Sequence, residues 1–408
     1  MRAIAVLVVL AAICLAPPIS ARTVIYEDDD VQFYYGGYVR SFLSWQHVDD
    51  DARDLMAAMG QDHQHVAMHS LIGRSEFKLS AADWFTAEVH SRYAWTMATE
   101  PVLDSGQMGA GAGISVVPRR SLDLQTTLIS EPNHRWEVDL DRLLFRFYLG
   151  EVDISVGRQA VTWGQSNLFG VSDVWTTFSP FDLDTSQKRG IDALRLVWGI
   201  SDWVELDVIV ADRGSVEDLS GGVRAQFYLD FGEAYVAAAK SYEDLALAAG
   251  LSVDIDTVKL RGEVMGRFDL ERSEVELPRA TVGVDWFYSD RFVGGVELHL
   301  NGFGTDDTTD IGYLTHASGE PALTRGEGYL LGFLYAGTYI SYRPHDLISL
   351  SGTAMVNLLD ATALMSWSAG LEVMESVDLS IGGYHGVGDG FEFGLSGHLG
   401  YLQVAAYF

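Results

Sequence analysis

The chain has 408 residues, 48% hydrophobic, 12% aromatic and 21% charged, with 27 basic against 57 acidic side chains, a formal charge of -30 and one cysteine. So large an acidic excess repels polyphosphate and argues against a nucleic-acid partner. The ample apolar and aromatic content argues against disorder, and a soluble chain of this length would divide into two or three domains.

Residues 1–21 read as a signal peptide: Arg2 gives a positive start, AIAVLVVLAAICL is continuously apolar, and Pro17, Pro18, Ser20 and Ala21 resemble a cleavage region. Cys14 ends the apolar run as it would in a lipoprotein leader, but Ile13 stands where lipid attachment needs a small residue. Cleavage after Ala21 would remove the sole cysteine, so stability must come from backbone pairing and packing. Residues 22–30, with Glu27, Asp28, Asp29 and Asp30, are expected to form an acidic periplasmic segment. Farther on, no run reaches the roughly 18 apolar residues that a membrane helix needs. The longest candidate, 329–342, is short and contains Gly332 and Gly337.

From residue 31 the pattern has period two. Val31, Phe33, Tyr35, Val39, Leu43 and Trp45 oppose Gln32, Arg40, Ser44 and Gln46, as in a strand with one apolar face. Residues 84–97 repeat it, with Phe85, Ala87, Val89, Tyr93, Trp95 and Met97 opposing Thr86, Glu88, His90, Arg92 and Thr96. Residues 258–268 do so again, with Leu260, Val264 and Phe268 opposing Lys259, Arg261, Glu263 and Arg267. A soluble sandwich would turn its apolar side to the core, whereas a membrane barrel turns it to lipid and its polar side to a wet lumen.

Strand length and loop rhythm favour the barrel. Very short turns near residues 81, 150, 199, 230, 254, 289, 343 and 375 alternate with generally longer connections, the longest near 47–67, 99–135, 162–189 and 302–326. This predicts an all-β, antiparallel up-and-down transmembrane barrel over 31–408, of 18 strands or, next, 16, with both termini periplasmic. Its prolines avoid strand interiors. The chain ends YLQVAAYF, which resembles the terminal signal read by the barrel-assembly machinery of Gram-negative outer membranes, with Phe408 as its last aromatic.

Most of the acidic excess falls in the outer connections, the short turns and residues 27–30, which leaves the strands nearly neutral. The expected lumen is therefore of mixed charge, with Arg40, Arg74, Arg92, Arg146, Arg224, Arg261, Arg267 and Arg279 among its bases and Glu88, Asp207, Glu263 and Glu297 among its acids. Such groups can tune a pore or simply form ladders that hold its shape. Acidic outer loops can bind cations that bridge to lipopolysaccharide, or merely keep the surface soluble.

The most distinctive segment is 157–198, GRQAVTWGQSNLFGVSDVWTTFSPFDLDTSQKRGIDALRLVW. Folded inward, its loop would form a constriction with Arg158, Gln159, Asp173 and Asp182 near the narrowest passage; folded outward, it would be a lid. Val152, Ile154 and Val156 set the lipid-facing register, which puts Arg158 on that side unless Gly157 allows a bulge or the guanidinium snorkels. The GRQ-x-V-x-WG run, DVW and SPFDLD, together with YISYRPHDLISLS and NLLDAT later on, resemble poorly characterised proteobacterial outer-membrane barrels near the alginate-export porins. The resemblance covers about 135–200 and 330–408, and it implies a passive, porin-like conduit without transferable functional residues.

Other chemistry is sparse. His63, His65 and His69 in DHQHVAMH have metal-ligand spacing but lie in a loop without a fixed outer shell. GTDDTTD at 304–310 lacks the spacing and distal Glu of a calcium loop. No nucleophile elbow or isolated acid pair occurs, so neither an enzyme nor a cofactor is expected. The reading is a monomeric or trimeric outer-membrane pore for small hydrophilic solutes, bounded by lipid and lipopolysaccharide. The alternative is a plugged barrel acting in surface interaction or envelope assembly.

Overall fold

In the computed structural model, which describes residues 23–48, 53, 63–103, 119–176 and 187–408, the alternating segments pair into one continuous sheet. Its strands begin with β1 (Thr23–Glu27), β2 (Val31–His47), β3 (His65–Ala81), β4 (Phe85–Ala98), β5 (Gln125–Glu131), β6 (His134–Leu149) and β7 (Val152–Gln159). They continue with β8 (Ile191–Ser201), β9 (Val204–Asp212), β10 (Ser220–Leu229), β11 (Gly232–Ser241), β12 (Asp244–Ile255), β13 (Val258–Asp269) and β14 (Glu274–Val275). The last are β15 (Arg279–Ser289), β16 (Phe292–Leu300), β17 (Leu334–His345), β18 (Ile348–Asn357), β19 (Ala363–Met374), β20 (Val377–Val387) and β21 (His398–Tyr407).

Three strands extend the line of a neighbour. β1 pairs with β2 below the end of β21, β5 pairs with β6 beyond the end of β7, and β14 pairs with β13 beyond β15. The rest form a closed antiparallel barrel of 18 strands, as expected, sealed by β2 against β21 from Tyr38–Tyr407 to His47–His398. Phe408 completes the seam by exchanging backbone hydrogen bonds with Gly37 at 2.9 and 3.1 Å. Closure gives each of the 18 barrel strands a partner on both sides, as lipid requires.

Tight turns alternate with longer connections as expected, and among the described residues the helices Asp310–Gly319, Pro321–Thr324 and Phe391–Gly394 lie at the long-loop end. The GTDDTTD run is a capping segment: Thr309 Oγ1 accepts from Gly312 N at 3.0 Å, and Asp307 accepts from the Thr309 hydroxyl at 2.7 Å.

Outward positions are apolar and exposed despite full backbone pairing, among them Leu247 at 69%, Val282 at 57% and Val296 at 56%. Exposed Trp45, Trp136 and Trp367 lie toward the long-loop end, and Trp84, Trp198, Trp203 and Trp286 toward the turns, an apolar band between two aromatic girdles. At roughly 25 cal/mol per Å² such a band belongs in lipid. Many buried side chains, charged ones among them, point inward.

The internal strap and the candidate pore

At Gln159 the line of β7 is already occupied by β5, which pairs with the other end of β6. The chain therefore leaves the wall and enters the lumen. Residues 160–176 form a strap, the chain returns at 187–190, and β8 begins at Ile191.

The strap has no sheet partner, so its backbone polar groups need others. The wall supplies them by sign, with carboxylates taking N–H groups and guanidinium groups taking carbonyls. Glu297 on β16 accepts from the backbone N–H groups of Asn167, Leu168 and Phe169 at 2.8, 3.1 and 3.1 Å. Glu263 on β13 accepts from Gln165 N and from the Ser172 hydroxyl. Asp207 on β9 accepts from Trp163 Nε1 at 2.8 Å. In return Arg224 donates to Trp163 O at 3.0 Å, Arg261 to Gln165 O at 2.6 Å, and Arg279 to Gly170 O at 2.9 Å. Arg195 holds Asp207, and Arg261 also reaches Asp285 and Glu297, so the wall charges neutralise one another.

Packing seats the tip. Phe169 stacks on His299 at 5.0 Å and joins Leu330, Tyr335, Met355, Leu364, Tyr384, Phe393 and Leu399 in an apolar cluster. Gly337 makes room for it, because a Cβ there would stand 2.7 Å from Leu168 Cδ1. At the base, Trp163 meets Trp175 edge to face at 5.1 Å.

Each sequence candidate now has a place. Arg261 anchors the strap, and Arg267 ties Asp244, Glu276 and Glu327 at the outer end of β13. Asp244, Asp269 and Glu276 converge there, but Arg267 and Arg325 already neutralise them. Arg74 is 1% exposed, with Asp141 at 2.5 Å and Glu76 at 2.8 Å. Arg40 lies over the Tyr38 ring at 4.1 Å. Arg92, Glu88 and Arg146 are partly exposed on β4 and β6.

Asp173 sits on the returning limb, paired with Lys188; burial is the larger influence and pushes its carboxyl up to about 6. Asp182 lies outside the described residues, as does the expected signal peptide.

Arg158 is neither a snorkelling residue nor lumen-facing. It keeps the exterior register through Gly157 without an added residue, paired with Leu143 and Asp192. Gly157 adopts φ +115°, where a Cβ would lie 2.0 Å from the Leu143 carbonyl oxygen. Arg158 is 1% exposed, forked onto Asp192 at 2.7 and 2.9 Å, and its remaining N–H groups reach the carbonyls of Leu140 and Leu122. Gln159 is likewise buried and donates to Ala193 O at 3.1 Å. These two residues fasten the wall beneath the segment leading into β5.

The histidine trio does not converge. His63 pairs with Glu100 at 3.3 Å, His69 contacts the Ser41 hydroxyl at 2.9 Å, and His65 faces His47. Sequence reasoning placed Asp207, Glu263, Glu297, Arg224 and Arg279 on inward faces but could not assign them to the strap. Glu392 was missed altogether. It is buried at the mouth, accepting from Tyr335 Oη at 2.6 Å, Asn357 Nδ2 at 2.8 Å and Leu331 N at 2.7 Å.

The strap's polar anchors run from β9 to β17. On the turn side of the strap a cavity of about 650 Å³ is lined by Gln165, Asn167, Lys259, Asp285, Tyr339 and Ser351, among others. Toward β2–β6 residues 188–190 meet the wall at β6, where Arg142 donates to Lys188 O at 2.5 Å and Arg189 donates to Asp139 at 3.0 Å. In that sector Lys78, Glu88, Arg92 and Arg146 are partly exposed.

No protein-family model matches the chain, and no curated protein does. Among solved structures, Pseudomonas aeruginosa OccD3 (OpdP) superposes with a TM-score of 0.52 at 8% identity, over 96% of this chain and 94% of that one. Mutants of the Rhodopseudomonas blastica porin align over 92% of this chain and all of theirs at 12% identity, with a TM-score of 0.45. The OccD3 likeness is one of fold.

Proposed function

We propose that this protein is a porin-like channel of the Gram-negative outer membrane, through which small hydrophilic solutes diffuse along an off-centre path between the strap and the β2–β6 wall. The observation that carries the reading is the lopsided anchoring of the strap: residues 163–172 bond to β9–β17, contact with the opposite wall is confined, among the described residues, to residues 188–190 on β6, and Lys78, Glu88, Arg92 and Arg146 on that side are partly exposed. A plug would be expected to bond to both walls. The mixed charge of these four residues suits polar solutes rather than one ion class. In this reading the apolar band meets lipid and lipopolysaccharide, and the strand ending at Phe408 is what the barrel-assembly machinery reads.

Planar-bilayer recording of the refolded protein tests it. Steps of constant size are expected, with a weak ion preference in a salt gradient. Silence from a preparation with native heat-modifiable mobility would instead favour a plugged barrel whose loops are the working surface.

A further inference from the structure

Four histidines stand in one row on the exterior, at the long-loop end of four neighbouring strands. His65 on β3 is directly opposite His47 on β2, His47 opposite His398 on β21, and His398 opposite His385 on β20. All have the outward register of Leu43, Trp45, Ile381 and Leu402, which are exposed. The row lies two residues beyond Trp45, or about 7 Å nearer the loops, at the level of the outer girdle where water and headgroups meet. None of this serves the strap or the lumen.

The row is built of two unlike pairs. In the first, Nδ1 of His47 and Nδ1 of His65 are 3.2 Å apart, with ring centroids 4.8 Å apart. In the second, His385 and His398 bring their Nδ1 atoms to 3.3 Å. Trp367 Nε1 donates to His385 Nε2 at 3.3 Å, so the neutral ring carries its proton on Nδ1, committed to His398. Trp45 offers its ring face to the two rings of the first pair at 6.1 and 5.7 Å.

Two imidazole nitrogens on a tetrahedral zinc ion, each at 2.0–2.1 Å, stand about 3.4 Å apart. The first pair has nearly that spacing already on directly paired strand positions; its stacked rings lie 23° from parallel, so each turns about its Cβ–Cγ bond to aim its Nδ1 lone pair at a shared ion. We propose that His47 and His65 form a transition-metal site on the membrane-facing outer rim, each ligating one zinc or copper ion through Nδ1 while water fills the remaining positions. Imidazole favours these ions over calcium or magnesium, and the chain's -30 charge raises the local concentration of any cation.

Calorimetric titration of untagged, refolded protein in detergent with Zn²⁺ alone tests the site. One ion per chain is expected, with His47→Gln and His65→Gln each weakening binding at least about tenfold and His385→Gln leaving it unchanged. Heat-modifiable mobility confirms that each variant is folded. Independently of any variant, Cu²⁺ bound to the wild type is expected to show electron-paramagnetic hyperfine structure from two imidazole nitrogens. Absence of binding, binding that survives in both His47→Gln and His65→Gln, loss in His385→Gln, or a spectrum without two nitrogens would overturn the proposal.

Discussion

Removing Glu297 strikes the strap at its most heavily bonded point. Glu297 is 3% exposed, and its carboxylate accepts from three strap N–H groups and from Arg261 Nη2 at 2.9 Å. Glu297→Ala leaves the N–H groups unpaired and deprives a buried guanidinium of one of its two carboxylates, Asp285 remaining at 2.7 Å. Hydrogen bonds to a charged acceptor contribute about 1.5–3 kcal/mol each, and losing one member of a buried charged pair costs about 3–5 kcal/mol. Part of this is recovered when the released N–H groups meet water, so about 3–4 kcal/mol is expected to come off the strap's attachment. At 1.36 kcal/mol per decade the detached population rises roughly 10²–10³-fold. The barrel ladders are untouched, so heat-modifiable mobility should persist while single-channel steps grow larger and noisier. Unchanged step size and noise in a folded Glu297→Ala channel would refute the anchoring argument.

Three further outcomes follow from the same geometry. Gly337→Val presses on Leu168 and Phe169, with an overpacking cost of about 1–3 kcal/mol; it should widen the conductance histogram without changing ion preference. Arg158→Lys keeps the charge but loses the fork onto Asp192, so faster proteolysis between β4 and β6 with unaltered conductance is expected, and altered conductance would return Arg158 to the pore. Glu392 is pushed up to about 7, chiefly by burial, with Tyr335, Leu331 and Asn357 pulling the other way. The folded protein therefore binds this proton more tightly than the unfolded chain. The stabilisation is complete below about pH 4.5 and fades as pH rises through 7. The denaturation midpoint of the wild type relative to Glu392→Gln should fall across that range, and a constant difference would show that Glu392 does not titrate there.

The barrel was legible because period two is set by the backbone: every strand residue points to one side or the other, so Leu43 and Trp45 against Ser44 and Gln46 report two environments without reference to any partner. Turn spacing and even parity then give the 18 strands and their direction. The inward placement of Arg74, Arg261, Glu263 and Glu297 came from the same alternation.

Which inward residues meet was not legible, since register within one strand carries no information about a chain segment 130 positions away, as Asn167 is from Glu297. Arg158 shows the limit most plainly. Alternation left it on the lipid side unless Gly157 bulged, and the loop reading put it near a constriction, whereas what covers that position depends on β5 taking the line of β7. That same displacement sends residues 160–176 into the lumen, and the pairing of His47 with His65 likewise required the fold. Local stereochemistry determined the wall, whereas its contents were decided by steric exclusion and by the need of an unpaired backbone for partners.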